Sequence, residues 1–256
     1  MNTLQDKLNA FERILTIMDE LRTQCPWDKK QTIESLRNLT IEETYELADA
    51  ILKNDTQEIK KELGDVLLHI IFYARIASET NDFDIADVIN SLCDKLIYRH
   101  PHIYSNTKAD TVEEVEENWE KLKLKEKGNT SVLGGVPTSL PALIKATRIQ
   151  EKARAVGFDW NNKADVWAKV QEELQEFVQE TDPIKQQEEF GDVLFSLVNY
   201  ARFINISPED ALEKTNRKFI QRFQYIEAQA RNQNRSVDSL SLKEMEAHWQ
   251  AAKHIL

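Results

Sequence analysis

Residues 62–76 read ELGDVLLHIIFYARI and residues 189–203 read EFGDVLFSLVNYARF, identical at eight of fifteen positions at an offset of 127. A match this long at about half the chain length is the mark of an internal repeat. No segment in either copy shows sustained two-residue alternation bounded by turn residues, so no sheet is expected. The apolar spacing is helical instead. Leu8, Phe11, Leu15 and Met18 mark one amphipathic helix, and Ile41, Tyr45, Ala48 and Leu52 mark the next.

The repeat extends outward in order. Glu42, Glu43 and Glu46 recur as Glu172, Glu173 and Glu176; Lys95 and Arg99 recur as Lys218 and Arg222; Trp119 and Lys123 recur as Trp249 and Lys253. The offsets drift between 123 and 130, as expected when loops vary and helices do not. Five of the chain's six glycines and six prolines fall within 128–141 (Gly128, Gly134, Gly135, Pro137 and Pro141). That stretch reads as a linker. The expected organisation is all-α: a helical bundle of four or five helices at 1–127, a linker at 128–141 and a second such bundle at 142–256.

Glu43 and Glu46, Glu62 and Asp65, Glu173 and Glu176, and Glu189 and Asp192 are each three residues apart, which places two carboxylates on one helical face. A single pair of this kind is ordinary on a solvated helix. The helices at 62–76 and 189–203 argue otherwise. Glu189, Asp192 and Ser196 share a narrow arc, and Val193, Leu194, Phe195, Leu197, Val198 and Tyr200 fill most of the remaining circumference. Glu62, Asp65 and His69 are placed likewise among Val66, Leu67, Leu68, Ile70, Ile71 and Tyr73. A helix apolar nearly all round is expected to be buried. Buried carboxylates need protonation, basic partners or a metal, because an unpaired buried charge costs several kcal/mol. Four oxygen donors without His or Cys favour a hard cation, Mg²⁺ or Mn²⁺. A di-iron bundle uses Glu-x-x-His pairs, which these are not. Gly64 and Gly191 weaken their helices, and a close helix approach beside the site is the expected reason.

Lys218 with Arg222 and Trp249 with Lys253 are each four residues apart on a helix face. Surface solubility accounts for such a cationic pair taken alone, and a core anchor accounts for such a tryptophan. Repetition in register with the carboxylates points instead to nucleotide phosphates and a base to stack on. His100 and His102 read as structural. The net charge of −11 argues against a nucleic-acid partner but not against a small phosphorylated substrate accompanied by metal. Two cysteines without CxxC spacing fit a reducing cytosol. The start of the chain, MNTLQDK, lacks signal-peptide layout, and no apolar run approaches 18 residues, so a cytoplasmic protein without a membrane span is expected.

These motifs in this order resemble the two-domain MazG family along nearly the whole chain. The resemblance is carried by CPWD at 25–28, QTIESL at 31–36, EETYE at 42–46 and ELGDVL at 62–67. KLIYRHPHIY at 95–104, GFDW at 157–160, EFGDVLF at 189–195 and TNRKFIQRF at 215–223 continue it to Trp249 and Lys253. One departure is Ile33, where the family pattern carries histidine. The resemblance implies an all-α nucleoside triphosphate pyrophosphohydrolase that dimerises and releases a nucleoside monophosphate and pyrophosphate. It implies Mg²⁺ on Glu173, Glu176, Glu189 and Asp192, with Glu43, Glu46, Glu62 and Asp65 as the first-half counterparts. Nucleotide contacts are implied for Lys218, Arg222, Trp249 and Lys253, and for Lys95, Arg99, Trp119 and Lys123. Glu172, beside Glu176, is the candidate to take a proton from the attacking water. Lys218 and Arg222 would neutralise departing pyrophosphate. The alternatives are a narrower pyrophosphatase for dUTP, dCTP or phosphoribosyl-ATP, or a non-enzymatic helical interaction module.

Overall fold

Helix starts are written into the sequence as short polar residues that accept from otherwise orphaned amides. Thr3 opens α1 (Leu4–Gln24), Thr32 opens α2 (Ile33–Lys53), Asp55 opens α3 (Thr56–Ser78) and Asp84 opens α4 (Ile85–Arg99). Asn162 opens α7 (Lys163–Gln179), Asp182 opens α8 (Pro183–Phe203) and Ser207 opens α9 (Pro208–Asn232). The set is completed by α5 (Pro101–Tyr104), α6 (Ala142–Arg154) and α10 (Leu242–Ile255). Chain reversals use asparagine where glycine is scarce. Asn54, Asn81, Asn205 and Asn234 all have positive φ, a conformation asparagine tolerates better than most residues.

The computed structural model describes residues 1–105, 107–109, 111, 114–115, 118–119, 122–123 and 131–255. Among the described residues there is no strand, and no helix is long and apolar enough to cross a membrane. The chain divides into two compact units, Met1–Val115 and Glu116–Leu256. Of the linker expected at 128–141, positions 128–130 lie outside the described residues and 131–141 run as bends and turns.

In the first unit α2 packs lengthwise on α3, with α1 and α4 also against α3. Met18, Leu36, Ile71 and Phe72 form its buried core, with Phe11, Leu15, Leu39, Leu68 and Tyr73 packed around them. Each such side chain fully buried stabilises the fold by about 1.5–3 kcal/mol. In the second unit α7 packs on α8, α6 packs on α8, and α10 packs on α9. Val166, Val170, Val193 and Val198 are buried between these helices, while Ile226, Ala230 and Leu240 form a cluster under α10.

Three readings of the sequence are corrected here. The inward face of α2 is Leu36, Thr40, Glu43, Leu47 and Ala50, whereas Ile41, Tyr45 and Ala48 point outward. The site helices are not buried all round: Leu63, Leu67 and Ile70 on α3, and Phe190, Leu194 and Leu197 on α8, are exposed. Each unit has too few helices to cover the whole circumference of its site helix. A Cβ at Gly64 or Gly191 would meet nothing within 4 Å, so neither glycine serves a close approach inside the chain.

Candidate metal and nucleotide site

The face of α2 that packs on α3 carries a carboxylate into the interface. Glu43 of α2 and Glu62 and Asp65 of α3 each present an oxygen, and the three lie within 4.8 Å of one another. Glu62 is only 3% exposed. Its Oε1 accepts from the Lys61 ammonium at 2.8 Å, while its Oε2 is buried with no hydrogen-bond partner. An orphaned buried acceptor costs about 1–3 kcal/mol, more when charged. Burial, then the neighbouring Asp65, Glu46, Glu62 and Glu42, push the Glu43 carboxyl above its ordinary range. The cluster sets three carboxylates against the single ammonium of Lys61, and its donors are all oxygen. A hard divalent cation fits both facts.

The second half repeats the device with Glu173 and Glu176 of α7 and Glu189 of α8, again within 4.8 Å of one another. Glu173 is buried, at the position in α7 that Glu43 holds in α2. Burial first, then Glu176 and Asp192, raise the Glu189 carboxyl. A cation is already at hand. The Lys169 ammonium lies 2.8 Å from Glu172 Oε1 and 2.8 Å from Glu173 Oε1, and those bonds raise its pKa. Leu39 occupies the corresponding place in α2, so the first half has no such lysine. Sequence reading passed over Lys169, although its i,i+4 spacing to Glu173 is the signal for a helical ion pair.

Not every expected ligand joins these groups. Glu46 and Asp192 are exposed and lie outside the two sets of three, although each repels its neighbouring carboxylates. Glu172 is exposed and held by Lys169.

The cationic and aromatic residues of the second half sit on α9 and α10. Lys218 and Lys253 are exposed. Trp249 is half-buried, packed on the Ile226, Ala230 and Leu240 cluster, with the Phe219 ring 5.0 Å away. The Arg222 guanidinium lies 5.5 Å from the Trp249 ring centroid, close enough for a cation–π contact. Its Nε is buried without a partner. Trp249 therefore anchors Arg222 within this structure. Among the first-half counterparts Lys95 is exposed, and Arg99, Trp119 and Lys123 are half-buried and engaged by neighbours. The GFDW stretch is also explained. Asp159 accepts from both terminal nitrogens of Arg202, at 2.6 and 2.8 Å, and Gly157 supplies the φ of +85° that the turn requires.

A family model described as the MazG nucleotide pyrophosphohydrolase domain matches residues 31–104 and 166–226. The chain belongs to that family. Its two matched segments carry the two carboxylate groups. The nucleoside triphosphate pyrophosphohydrolase/pyrophosphatase MazG of Thermotoga maritima is 43% identical over 95% of each chain. The nucleoside triphosphate pyrophosphohydrolase of Escherichia coli K12 is 40% identical over 96% of this chain and 98% of its own. A solved structure of a MazG-related protein from Thermotoga maritima is 32% identical, covers 44% of this chain and 99% of its own, and has a TM-score of 0.40. Membership makes this MazG-family chain an enzyme of the hydrolase class.

Proposed function

We propose that the chain hydrolyses nucleoside triphosphates, over a broad range of ribo- and deoxyribonucleotides, to nucleoside monophosphate and pyrophosphate in the cytoplasm with Mg²⁺. The observation that carries this is the pair of three-oxygen carboxylate groups, one containing an orphaned buried oxygen, in a member of a nucleotide pyrophosphohydrolase family. Glu43, Glu62 and Asp65 would hold the cation in one half, and Glu173, Glu176 and Glu189 in the other, with Glu46 and Asp192 at the edges. When bound, Mg²⁺ supplies positive charge for the triphosphate and makes a nearby water easier to deprotonate. Glu172 would take that proton once Lys169 gives up its bond. Arg222, Lys218 and Lys253 supply fixed positive charge for the phosphates. Reaction in ¹⁸O-water is expected to give labelled monophosphate or labelled pyrophosphate with no nucleoside diphosphate. Diphosphate and orthophosphate as first products would refute the reading. A panel of nucleotides separates the broad activity from a narrower one on dUTP, dCTP or phosphoribosyl-ATP.

The active form is a homodimer in this proposal. Leu63, Leu67 and Ile70 form an exposed stripe on α3, and Phe190, Leu194 and Leu197 repeat it on α8. Exposed apolar stripes on the helices that carry the ligands favour a second copy as their cover. The open space at Gly64 and Gly191 would let its backbone come close. Sedimentation is expected to show twice the mass of one chain, and Leu67→Glu combined with Leu194→Glu to give monomers. A wild-type chain that sediments as a monomer at micromolar concentration rules this out.

A further inference from the structure

The floor beneath the two carboxylate groups is built differently in the two halves. In the first, Thr40 stands one turn before Glu43 on α2, and His69 stands one turn after Asp65 on α3. Thr40 Oγ1 lies 3.0 Å from the Leu36 carbonyl oxygen, 2.6 Å from His69 Nδ1 and 2.5 Å from the Tyr73 hydroxyl. The Leu36 carbonyl can only accept, whereas His69 Nδ1 and the Tyr73 hydroxyl can each donate to Thr40 or accept from it. The single proton and two lone pairs of Thr40 suffice for all three contacts, and the direction of the His69 bond follows the tautomer of that ring. His69 is 6% exposed, and its ring meets Tyr73 edge-on at 6.5 Å. Burial lowers the His69 pKa, against the opposing pull of the Asp65 carboxylate.

The second half holds Val170, Ser196 and Tyr200 at those three positions. Val170 is fully buried and has no group to donate or accept. Ser196 turns back onto its own helix, donating to the Val193 carbonyl at 2.9 Å. Tyr200 packs its ring on Trp167 at 4.8 Å. The first half thus joins its two ligand helices by directed hydrogen bonds at the level where the second half uses apolar contact.

Glu43 and Asp65 repel one another across that joint, so something must hold their helices together before a cation arrives. We infer that Thr40, hydrogen-bonded to His69 and Tyr73, is a positioning residue that fixes Glu43 relative to Asp65 and so preorganises the first-half site for a divalent cation. This rests on the metal reading above. Hydrogen bonds behind the ligands of a metal site commonly set its affinity.

The test is Mn²⁺ binding to the full chain, followed by the electron paramagnetic resonance signal of free Mn²⁺, with the second site silenced by Glu173→Gln. In that background Thr40→Val, which installs the residue the second half itself uses, is expected to weaken Mn²⁺ binding about tenfold, whereas Thr40→Ser, which keeps the hydroxyl, stays within about twofold. Should Thr40→Val lose its helical circular dichroism, His69→Leu against His69→Gln gives the same comparison, because the glutamine amide can donate to Thr40 or accept from it. A purely structural role would lower the melting temperature and leave Mn²⁺ affinity unchanged, and that result overturns the inference. So does equal weakening in Thr40→Val and Thr40→Ser. Failure of the parent chain to bind any Mn²⁺ overturns the metal reading, and this inference with it.

Discussion

Stripping divalent cations with EDTA is expected to lower turnover about 1,000-fold, and adding Mg²⁺ to restore it, a size typical of removing charge stabilisation from a phosphoryl site. The expectation comes from charge. Each half gathers three carboxylate oxygens within 4.8 Å, and the first half leaves Glu62 Oε2 without any donor. A triphosphate is itself strongly anionic, so without a cation the site repels the substrate it is proposed to bind. Lys169 offsets part of this in the second half, but a single ammonium shared between Glu172 and Glu173 does not neutralise three carboxylates and a triphosphate. Mn²⁺ is expected to replace Mg²⁺, since both accept hard oxygen donors. Full activity in protein shown to be metal-free would remove the metal from the reading altogether.

The helical class and the doubling of the chain were legible because ELGDVL and EFGDVL repeat in order with their flanking motifs, and because short polar residues mark the helix starts. The carboxylates were legible for the same reason. What the sequence misassigned on α2 was which side faces inward. Ile41, Tyr45 and Ala48 make the more apolar stripe, yet the packed side is Leu36, Thr40, Glu43, Leu47 and Ala50. Hydrophobicity identifies a face that wants covering but not what covers it. Here the ligand-bearing face takes the intramolecular contact, and an apolar stripe is left open on each site helix. Gly64 and Gly191 misled for a related reason: a glycine marks room for a close neighbour without saying whether that neighbour belongs to the same chain. Trp249 illustrates a third limit. Its spacing to Lys253 carries no hint that Phe219 and Arg222 lie beside its ring, a tertiary fact with no local signature.

Glu173→Gln is expected to lower kcat about 100-fold, and the matched Glu43→Gln less than about tenfold, the larger figure being that for removing one key charged contact from a reacting centre. The pair is matched because the two glutamates occupy the same inward position on α7 and α2 and each belongs to a three-oxygen group. Glutamine keeps the shape and one acceptor oxygen while deleting the charge, so helix packing should survive and circular dichroism should be unchanged. The expected asymmetry comes from the groups around each glutamate. In the second half Lys169 is bonded to Glu173 itself, Arg222 is fixed against Trp249, and Lys218 and Lys253 are exposed. In the first half Leu39 stands where the second has Lys169, and the ammonium beside the carboxylates is that of Lys61, bonded to Glu62 and not to Glu43. Asp192 and Asp65 are a weaker comparison, because Asp65 lies within its group of three while Asp192 is exposed outside its own. Metal titrations of the two variants separate a lost ligand from a lost fold: each should need more Mg²⁺ at its own site and melt near the parent temperature. If Glu43→Gln proves the more damaging while Glu173→Gln turns over normally, the principal site belongs to the first half, and the Thr40 network beneath it becomes the floor of the working centre.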